Sequence, residues 1–175
     1  MLTPDEDPPS SEDPPSSVAT HNEVATHVES ILRNVIHAIN TRNFNIKTPP
    51  WDSVTADYCI ACPHNPRLNL VSSKSEWIQS LEDFAKSYPD SHITIDCLMS
   101  SVSQNSGHAK VFMECRVTGG PGFPSGKMSK PTMSMHEFRF VESLGRWMFV
   151  KETTVNGAPV CVPWMDGEVS VWGGG

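Results

Sequence analysis

The sequence predicts an α+β fold in which helices pack on one face of a bent antiparallel sheet. Apolar residues recur at helical spacing in two early segments, and from about residue 92 onward apolar and polar residues alternate. Turn sequences divide the alternating region into hairpins. A run of helices followed by a run of antiparallel strands is typical of the α+β class.

The first predicted helix covers about residues 22–40. Apolar residues repeat there at steps of three and four, and they define one core-facing side: Val24, Val28, Ile31, Val35 and Ile39. Pro49 and Pro50 then favour extended chain. The segment WDSVTADYCIAC that follows is typical of a short helical turn and a strand.

The second predicted helix begins at Ser73 and ends before Pro89. Ser73 and Glu76 have the spacing of a capping box, which satisfies free amide groups at a helix start. The expected buried stripe of this helix consists of Trp77, Leu81, Phe84 and Tyr88.

Four strands are predicted after the second helix. Residues 92–103 and 108–118 form one hairpin, and residues 131–142 and 146–156 form another. The intervening glycine- and proline-rich stretch, 119–126, joins two strands. Phosphate-binding loops instead join a strand to a helix, so this stretch is interpreted as a plain loop.

The 175 residues fit a single domain with two tails. Residues 1–17 are acidic and proline-rich, with too little apolar surface to order, and are predicted to be disordered. The domain is expected to cover residues 18–157. The tail 158–175 contains two tryptophans and is expected to pack on the domain or on a dimer partner.

Charge and cysteine content exclude several functions. The net charge of −7, without a basic cluster, argues against nucleic-acid binding. No apolar run reaches the roughly 20 residues of a membrane span, and the first residues lack the pattern of a secretory signal, so a cytoplasmic protein is expected. The five cysteines fit free thiols, because the CxxC at Cys59 and Cys62 has no second pair. Neither a metal nor a cofactor is predicted.

Three local patterns carry a resemblance to a known superfamily. They are AINTRNF at the end of the first helix, W-D-x-x-x-A-D from Trp51 to Asp57, and MHEFRFVESLGRWMF from Met135 to Phe149. In this order they resemble the nuclear-transport-factor-2-like (NTF2-like) superfamily, especially its SnoaL-like and ketosteroid-isomerase-like members, over residues 22–157. The resemblance implies a cone-shaped curved antiparallel sheet wrapped around the N-terminal helices, with one central pocket.

The functional residues of ketosteroid isomerases do not carry over. Their proton-donating aspartic acid is matched by His136, their helix tyrosine by Val35, and their general base by the stretch from Cys62 to His64. Similar members of secondary-metabolite pathways imply an isomerase, a cyclase or a lyase of the dehydratase type. Such an enzyme needs no cofactor and acts on a hydrophobic polycyclic or polyketide-like molecule.

Strand alternation and the family pattern together predict which side chains face the pocket. The last two strands supply Ser134, His136, Phe138, Phe140, Met148, Val150, Glu152 and Thr154. Simple antiparallel register adds Asp96, Leu98, Phe112, Glu114 and Arg116, while Tyr58 and Trp77 border the cavity. A one-residue slip would turn any of these strands over.

The expected catalytic set contains four residues. His136 moves the proton, Glu114 or Glu152 orients the imidazole and tunes its pKa, and Arg116 stabilises negative charge on oxygen. The other inward side chains are expected to bind substrate: Asp96, Leu98, Phe112, Phe138, Phe140, Met148, Val150, Tyr58 and Trp77.

Other interpretations remain open. Asp96, Glu114 and Arg116 can form cross-strand ion pairs with no catalytic role, and the pocket can bind a ligand without turning it over. The tail and the outer sheet face can also serve as an interaction surface. That outer face is expected to be apolar enough to form a homodimer, unless its members face the helices instead: Ile93, Ile95, Cys97, Met113, Cys115, Val117, Met133 and Met135.

Overall fold

The computed structural model describes residues 20–62, 65–120 and 131–156. The predicted tails, most of the loop 119–126 and His64 lie outside the described residues. The described elements are α1 (His21–Asn40), β1 (Val54–Cys62), β2 (Asn65–Val71), α2 (Lys74–Ser87), β3 (His92–Ser103), β4 (His108–Thr118), β5 (Thr132–Val141) and β6 (Arg146–Asn156). They confirm the predicted α+β class.

The strands form a curved sheet in the order β2-β1-β6-β5-β4-β3. It is mixed, whereas the sequence predicted an antiparallel sheet, because β1 runs parallel to β6. Strand β2 was not predicted, since Pro66 and the asparagines around it interrupt the alternation. Strand β2 lies at the edge of the sheet and has a neighbour on one side only. A proline is tolerated there because the backbone N–H that it lacks is not needed on the open side.

Helix α1 forms as predicted and begins with a capping box. The Thr20 hydroxyl accepts a hydrogen bond from the Glu23 amide, while the Glu23 carboxylate accepts one from the Thr20 amide. One face of the helix is buried against the sheet: Val24, Val28, Ile31, Leu32, Val35, Ile36, Ala38 and Ile39.

Helix α2 also forms where predicted, with a different cap. The Ser73 hydroxyl accepts from the Glu76 amide as expected, but the Glu76 carboxylate accepts from the amide of Ser72 rather than that of Ser73. The buried stripe is Trp77, Ile78, Leu81 and Ala85. Phe84 and Tyr88 are only half-buried, so the predicted stripe is wrong for these two residues.

The register between β4 and β5 reverses the predicted inner face of β4. Val111 lies opposite His136, and both side chains are buried against the helices. Phe112, Glu114 and Arg116 therefore point to the outer face, and the prediction that they face inward is wrong. The physical reason is that a long connection leaves register to the apolar pattern rather than to a tight turn.

Part of the predicted apolar outer face of β3 and β4 packs against the helices instead of facing a partner. Ile93, Met113 and Cys115 are buried in the core, as in the alternative interpretation of the predicted outer face. A bulge between Ile95 and Cys97 changes the parity of β3. Because of it, Leu98 faces inward as predicted.

Asp96 does not face inward. It lies in this bulge of β3 and is exposed. The prediction of an inward Asp96 is therefore wrong, because the extra residue cannot be seen in the alternation pattern.

A second bulge changes the parity of β6. Glu152 lies opposite His136, and Phe149 lies opposite Phe138, so an even and an odd residue of β6 both face inward. Met148 pairs with the exposed Arg139 on the outer side of the sheet, although its own side chain is only 5% exposed. The prediction that Met148 faces inward is wrong because of the bulge.

Val150 and Phe140 also depart from the predicted pocket wall. Val150 lies within the β6 bulge and is half-buried. Phe140 shares the face of Phe138, but it lies at the end of β5, packs edge-on against Trp147 and is 38% exposed. Neither side chain forms part of the buried centre of the sheet.

Asn40 at the end of α1 ties this helix to the start of β3. Its side-chain amide donates to the carbonyl of Ile93 at 2.8 Å, and its side-chain oxygen accepts from the amide of Ile93 at 2.8 Å. The two bonds satisfy both backbone groups of one strand residue. They set the position of the helix over the sheet.

We expect Asn40→Ala to lower the free energy of unfolding by about 1–3 kcal/mol, because two backbone groups of Ile93 lose their partners. Urea denaturation measures this loss. Asn34→Ala, an exposed position on the same helix, is the matched control. Equal stability of the two variants would contradict the assigned role.

Candidate functional site

Five buried polar side chains meet at the centre of the inner sheet face, and we call them the polar cluster. The cluster consists of Ser134 and His136 on β5, Glu152 and Thr154 on β6, and Tyr58 on β1. Each is at most 2% exposed. Ser134 lies opposite Thr154 and His136 lies opposite Glu152, so four of the five form two adjacent cross-strand pairs.

An aromatic layer packs around the polar cluster. The ring of Tyr58 stacks on Trp77 of α2 at a centroid distance of 4.2 Å and meets Phe149 edge-on at 4.9 Å. Phe149 in turn lies 5.4 Å from the ring of His136 and 5.0 Å from that of Phe138. The polar atoms are therefore held in an apolar, low-dielectric surrounding.

Hydrogen bonds between described residues organise the polar cluster. Ser134 Oγ and His136 Nε2 are 2.7 Å apart. The hydroxyl of Tyr58 donates to Oε2 of Glu152 at 3.2 Å. Among the described residues, the second nitrogen of His136 and the second oxygen of Glu152 have no partners.

Four buried polar atoms at this centre have no hydrogen-bond partner within the described part of the chain: Trp77 Nε1, His136 Nδ1, Glu152 Oε1 and Thr154 Oγ1. An unpaired buried donor or acceptor costs about 1–3 kcal/mol, so four in one place require an explanation. A polar guest, whether a ligand group or water, satisfies such atoms when it binds between them.

Burial shifts the pKa values of the two titratable groups toward their neutral forms. Burial lowers the pKa of His136 from 6.5 to about 3, so its imidazole is neutral at physiological pH. Burial raises the pKa of Glu152 from 4.5 to about 7, and the hydrogen bond from Tyr58 opposes part of this rise. Glu152 can therefore either release or accept a proton near neutral pH.

The structure brings together some of the sequence-predicted site residues. His136, Glu152, Phe138, Tyr58 and Trp77 all belong to the polar cluster or its aromatic layer. Leu98 packs against the same core from β3. Ser134 and Thr154 were predicted to face inward, but their hydroxyl groups were not recognised as part of the site.

Phe149 was missed as a site residue. Its odd number assigns it to the outer face under strict alternation, and only the β6 bulge brings it inward. The aromatic type of Phe149 next to Met148 carries no signal that distinguishes the two faces.

The remaining sequence-predicted residues lie away from the polar cluster. Four of them are on the outer face: Glu114, Arg116, Asp96 and Phe112. Three others lie on β6 or at the end of β5, outside the buried centre of the inner face: Met148, Val150 and Phe140. Arg116 Nε donates to Asp96 Oδ2 at 2.7 Å, so the alternative interpretation of a cross-strand ion pair is confirmed for these two residues. Glu114 is not one of the buried side chains on the inner face.

The described ranges contain neither a metal-ligand cluster nor a helix suited to cross a membrane. In residues 20–62, 65–120 and 131–156, no group of three His, Cys, Asp or Glu side chains is arranged to hold a metal ion. Neither described helix is both long enough and apolar enough to cross a membrane. Cys59, Cys97 and Cys115 are free thiols.

The raised pKa of Glu152 predicts that stability falls as the pH rises. Its folded pKa of about 7 exceeds the ordinary value of 4.5, so the unfolded state loses this proton first. The favourable contribution is complete below about pH 4.5 and is lost as the pH passes 7. We expect the wild type to lose about 3 kcal/mol of unfolding free energy relative to Glu152→Gln between pH 5 and 9, measured by urea denaturation.

Glu137→Gln, on the opposite face of the adjoining strand, is the matched control and should follow the wild-type curve. Parallel curves for the wild type and Glu152→Gln would contradict a Glu152 pKa near 7.

Comparisons with known proteins agree on the fold alone. No known family profile matches the sequence, and no curated protein does. Among solved structures, an NTF2-like protein of unknown function from Pseudomonas putida KT2440 is 12% identical and has a TM-score of 0.59, with 78% of this chain and 88% of that chain covered.

Two further solved structures are similar. Aln2 from a Streptomyces species is 9% identical with a TM-score of 0.59, covering 77% of this chain and 91% of its own. A protein of Shewanella frigidimarina, provisionally named a ketosteroid isomerase, is 14% identical with a TM-score of 0.53, covering 71% and 91%. The chain has the cone-shaped α+β fold of the NTF2-like superfamily, as the sequence resemblance implied.

Proposed function

We propose that the polar cluster is the active site of a cofactor-independent isomerase, cyclase or dehydratase. The observation that carries this proposal is the carboxyl of Glu152, which is buried, has a pKa of about 7 and has no partner for Oε1 among the described residues. A general acid or base works best when its pKa lies near the operating pH. Strongly shifted carboxyl groups in apolar surroundings are typical of functional sites.

Glu152 carries the proton in this mechanism. As a carboxylate it removes a proton from carbon or oxygen of the substrate through Oε1, and as an acid it returns the proton to another atom. Returning it to a different carbon gives an isomer, while returning it to a departing hydroxyl group gives water and a double bond. The aromatic layer of Tyr58, Trp77, Phe138 and Phe149 suits a hydrophobic polycyclic or polyketide-like substrate.

His136 acts as a neutral hydrogen-bonding group rather than as the proton carrier expected from the sequence. Its pKa of about 3 leaves too little driving force to accept a proton near neutral pH. The contact of Nε2 with Ser134 orients the ring, and Nδ1 is left to bind a substrate oxygen. Arg116 has no part in charge stabilisation, because it points to the outer face.

Neutral donors replace Arg116 in this scheme. Trp77 Nε1 is a buried donor with no partner among the described residues, and the ring of Trp77 stacks on that of Tyr58. Preorganised donors in a low-dielectric site stabilise negative charge that develops on oxygen. A substrate carbonyl oxygen directed toward Trp77 or His136 fits this arrangement.

Structural similarity supports the fold of this chain and leaves its reaction to the site residues. One similar protein is provisionally named a ketosteroid isomerase, but the present chain has His136 and Val35 at two of the three positions matched to that chemistry. The third position, between Cys62 and His64, has no described side chain. Because one fold hosts many activities, the proposal depends on Glu152 and not on the likeness.

We also propose a cytoplasmic homodimer that belongs to secondary metabolism. The described cysteines are free, which suits a reducing compartment. Met99 is 61% exposed and Met133 is 37% exposed, and both lie on the outer side of the sheet. Apolar side chains at these positions favour contact with a second copy.

We expect the protein to catalyse proton exchange on an uncharged hydrophobic ketone, and Glu152→Gln to slow this about 10²–10⁴-fold because the proton carrier is lost. The measurement is deuterium incorporation followed by NMR in a β,γ-unsaturated steroid ketone, in 2-tetralone and in an aromatic β-hydroxyketone. The wild-type rate should rise through pH 7 as Glu152 ionises. Glu114→Gln, on the outer face, is the matched control.

Exchange at equal rates in the wild type and Glu152→Gln would refute Glu152 as the acid or base. A probe that binds the wild type but shows no exchange above the uncatalysed rate would favour the alternative function, a small-molecule-binding domain without chemistry.

A further inference from the structure

The carboxyl of Glu152 is held in one orientation by a neighbour on another strand. The Tyr58 hydroxyl donates a hydrogen bond to Oε2 at 3.2 Å, while Oε1 of the same carboxyl has no partner in the part of the chain that the structure describes. The two oxygens are therefore inequivalent before any substrate arrives. Oε2 is occupied by the protein, and Oε1 is left for proton transfer.

Tyr58 is itself held rigidly. Its ring is fully buried, stacks on Trp77 at 4.2 Å with the planes 23° apart, and meets Phe149 at an angle of 70°. Trp77 also contacts Trp51 and Phe149 edge-on. These contacts hold the ring in one position, so packing sets the direction of the hydroxyl. Because the ring is already immobile, forming the hydrogen bond to Glu152 costs little further conformational entropy.

We propose that Tyr58 is a positioning residue that selects Oε1 of Glu152 as the proton-transferring oxygen and tunes the acidity of that carboxyl. This inference deepens the proposed function and depends on it for the catalytic role of Glu152. A hydrogen bond from a phenol favours the carboxylate over the carboxylic acid. It therefore works against burial, which favours the acid, and the balance of the two holds Glu152 near neutrality.

Few other titratable groups face Glu152. His136 on β5 lies opposite it and is neutral, and Cys115 on β4 has a pKa raised to about 12, mainly by burial and further by the charge of Glu152. The described side chains that α1 and α2 bury against the sheet are uncharged. Among the described side chains, Tyr58 is thus the group that lowers the proton affinity of Glu152.

Direct titration of Glu152 tests the proposal in the full chain. The protein is labelled with ¹³C-glutamate, and the Glu152 carboxyl signal is assigned by its loss in Glu152→Gln. Tyr58→Phe removes only the hydroxyl, so we expect the midpoint of Glu152 to move to higher pH, with about a tenfold weaker acid. Tyr88→Phe changes the other tyrosine of the chain and should leave the midpoint unchanged.

A second arm makes the donor stronger instead of removing it. In the Tyr88→Phe background, biosynthetic 3-fluorotyrosine labels Tyr58 alone. Fluorine makes the phenol a better donor, so the midpoint should move to lower pH. This arm also provides the test if Tyr58→Phe does not fold. A structural role alone would not produce opposite shifts from removing and strengthening one hydrogen bond.

An unchanged or lowered midpoint in Tyr58→Phe, or an unchanged or raised midpoint with fluorotyrosine, would overturn the inference. The titration needs no substrate, so its outcome is separate from that of the proposed enzyme activity. If the Glu152 midpoint shifts as expected in both variants but the protein shows no catalysis, only the proposed function is refuted. Catalysis that depends on Glu152, with a midpoint insensitive to Tyr58, would remove only this inference.

Discussion

The burial of one carboxyl group is the constraint on which the site depends. Glu152 lies on the inner face of β6, where the neighbouring strands and α2 surround it with aromatic rings. Taking an ionised carboxylate out of water costs several kcal/mol unless it is paired, and no cation is buried beside it among the described residues. The group responds by holding its proton to a higher pH, which gives it the affinity that acid–base chemistry needs.

The rest of the inner face follows from the same constraint. The same aromatic side chains keep water away from His136, and this burial keeps its imidazole neutral. Below about pH 7 Glu152 is itself protonated, so it does not offer a negative charge that would stabilise an imidazolium. Ser134 and Tyr58 each satisfy one atom of the two titratable side chains. Four buried polar atoms of the cluster and its aromatic layer have no partner among the described residues, and a guest that pairs with them would recover the stability that this costs.

Most of the fold could be predicted from the sequence, because strong periodic patterns report directly on burial. The stripe of α1 and the two hairpins depend on local apolar repeats and turns, and these agree with the structure. His136, Phe138 and Glu152 were assigned to the correct face, since the family pattern fixed the parity of β5 and the end of β6. The weak alternation of β2 and its edge proline concealed that strand.

The faces of β3, β4 and part of β6 could not be predicted, for a physical reason common to all three. A strand's inner face depends on its register, and a single inserted residue reverses it. The bulges near Asp96 and Val150 leave no local mark in the sequence, and the long connection before β5 is visible there but does not fix the register of β4. As a result, Glu114 and Arg116 were expected in the pocket, while Phe149 was overlooked.

Infrared difference spectroscopy of the wild type against Glu152→Gln tests the central claim most directly. If Glu152 holds its proton to about pH 7, the wild type shows a protonated carboxylic acid band at pH 6 that disappears by pH 9 and is missing in the variant. Identical spectra for the two proteins at pH 6 would show that Glu152 is already ionised. The buried carboxyl would then have no special proton affinity, and the acid–base account of the site would fail.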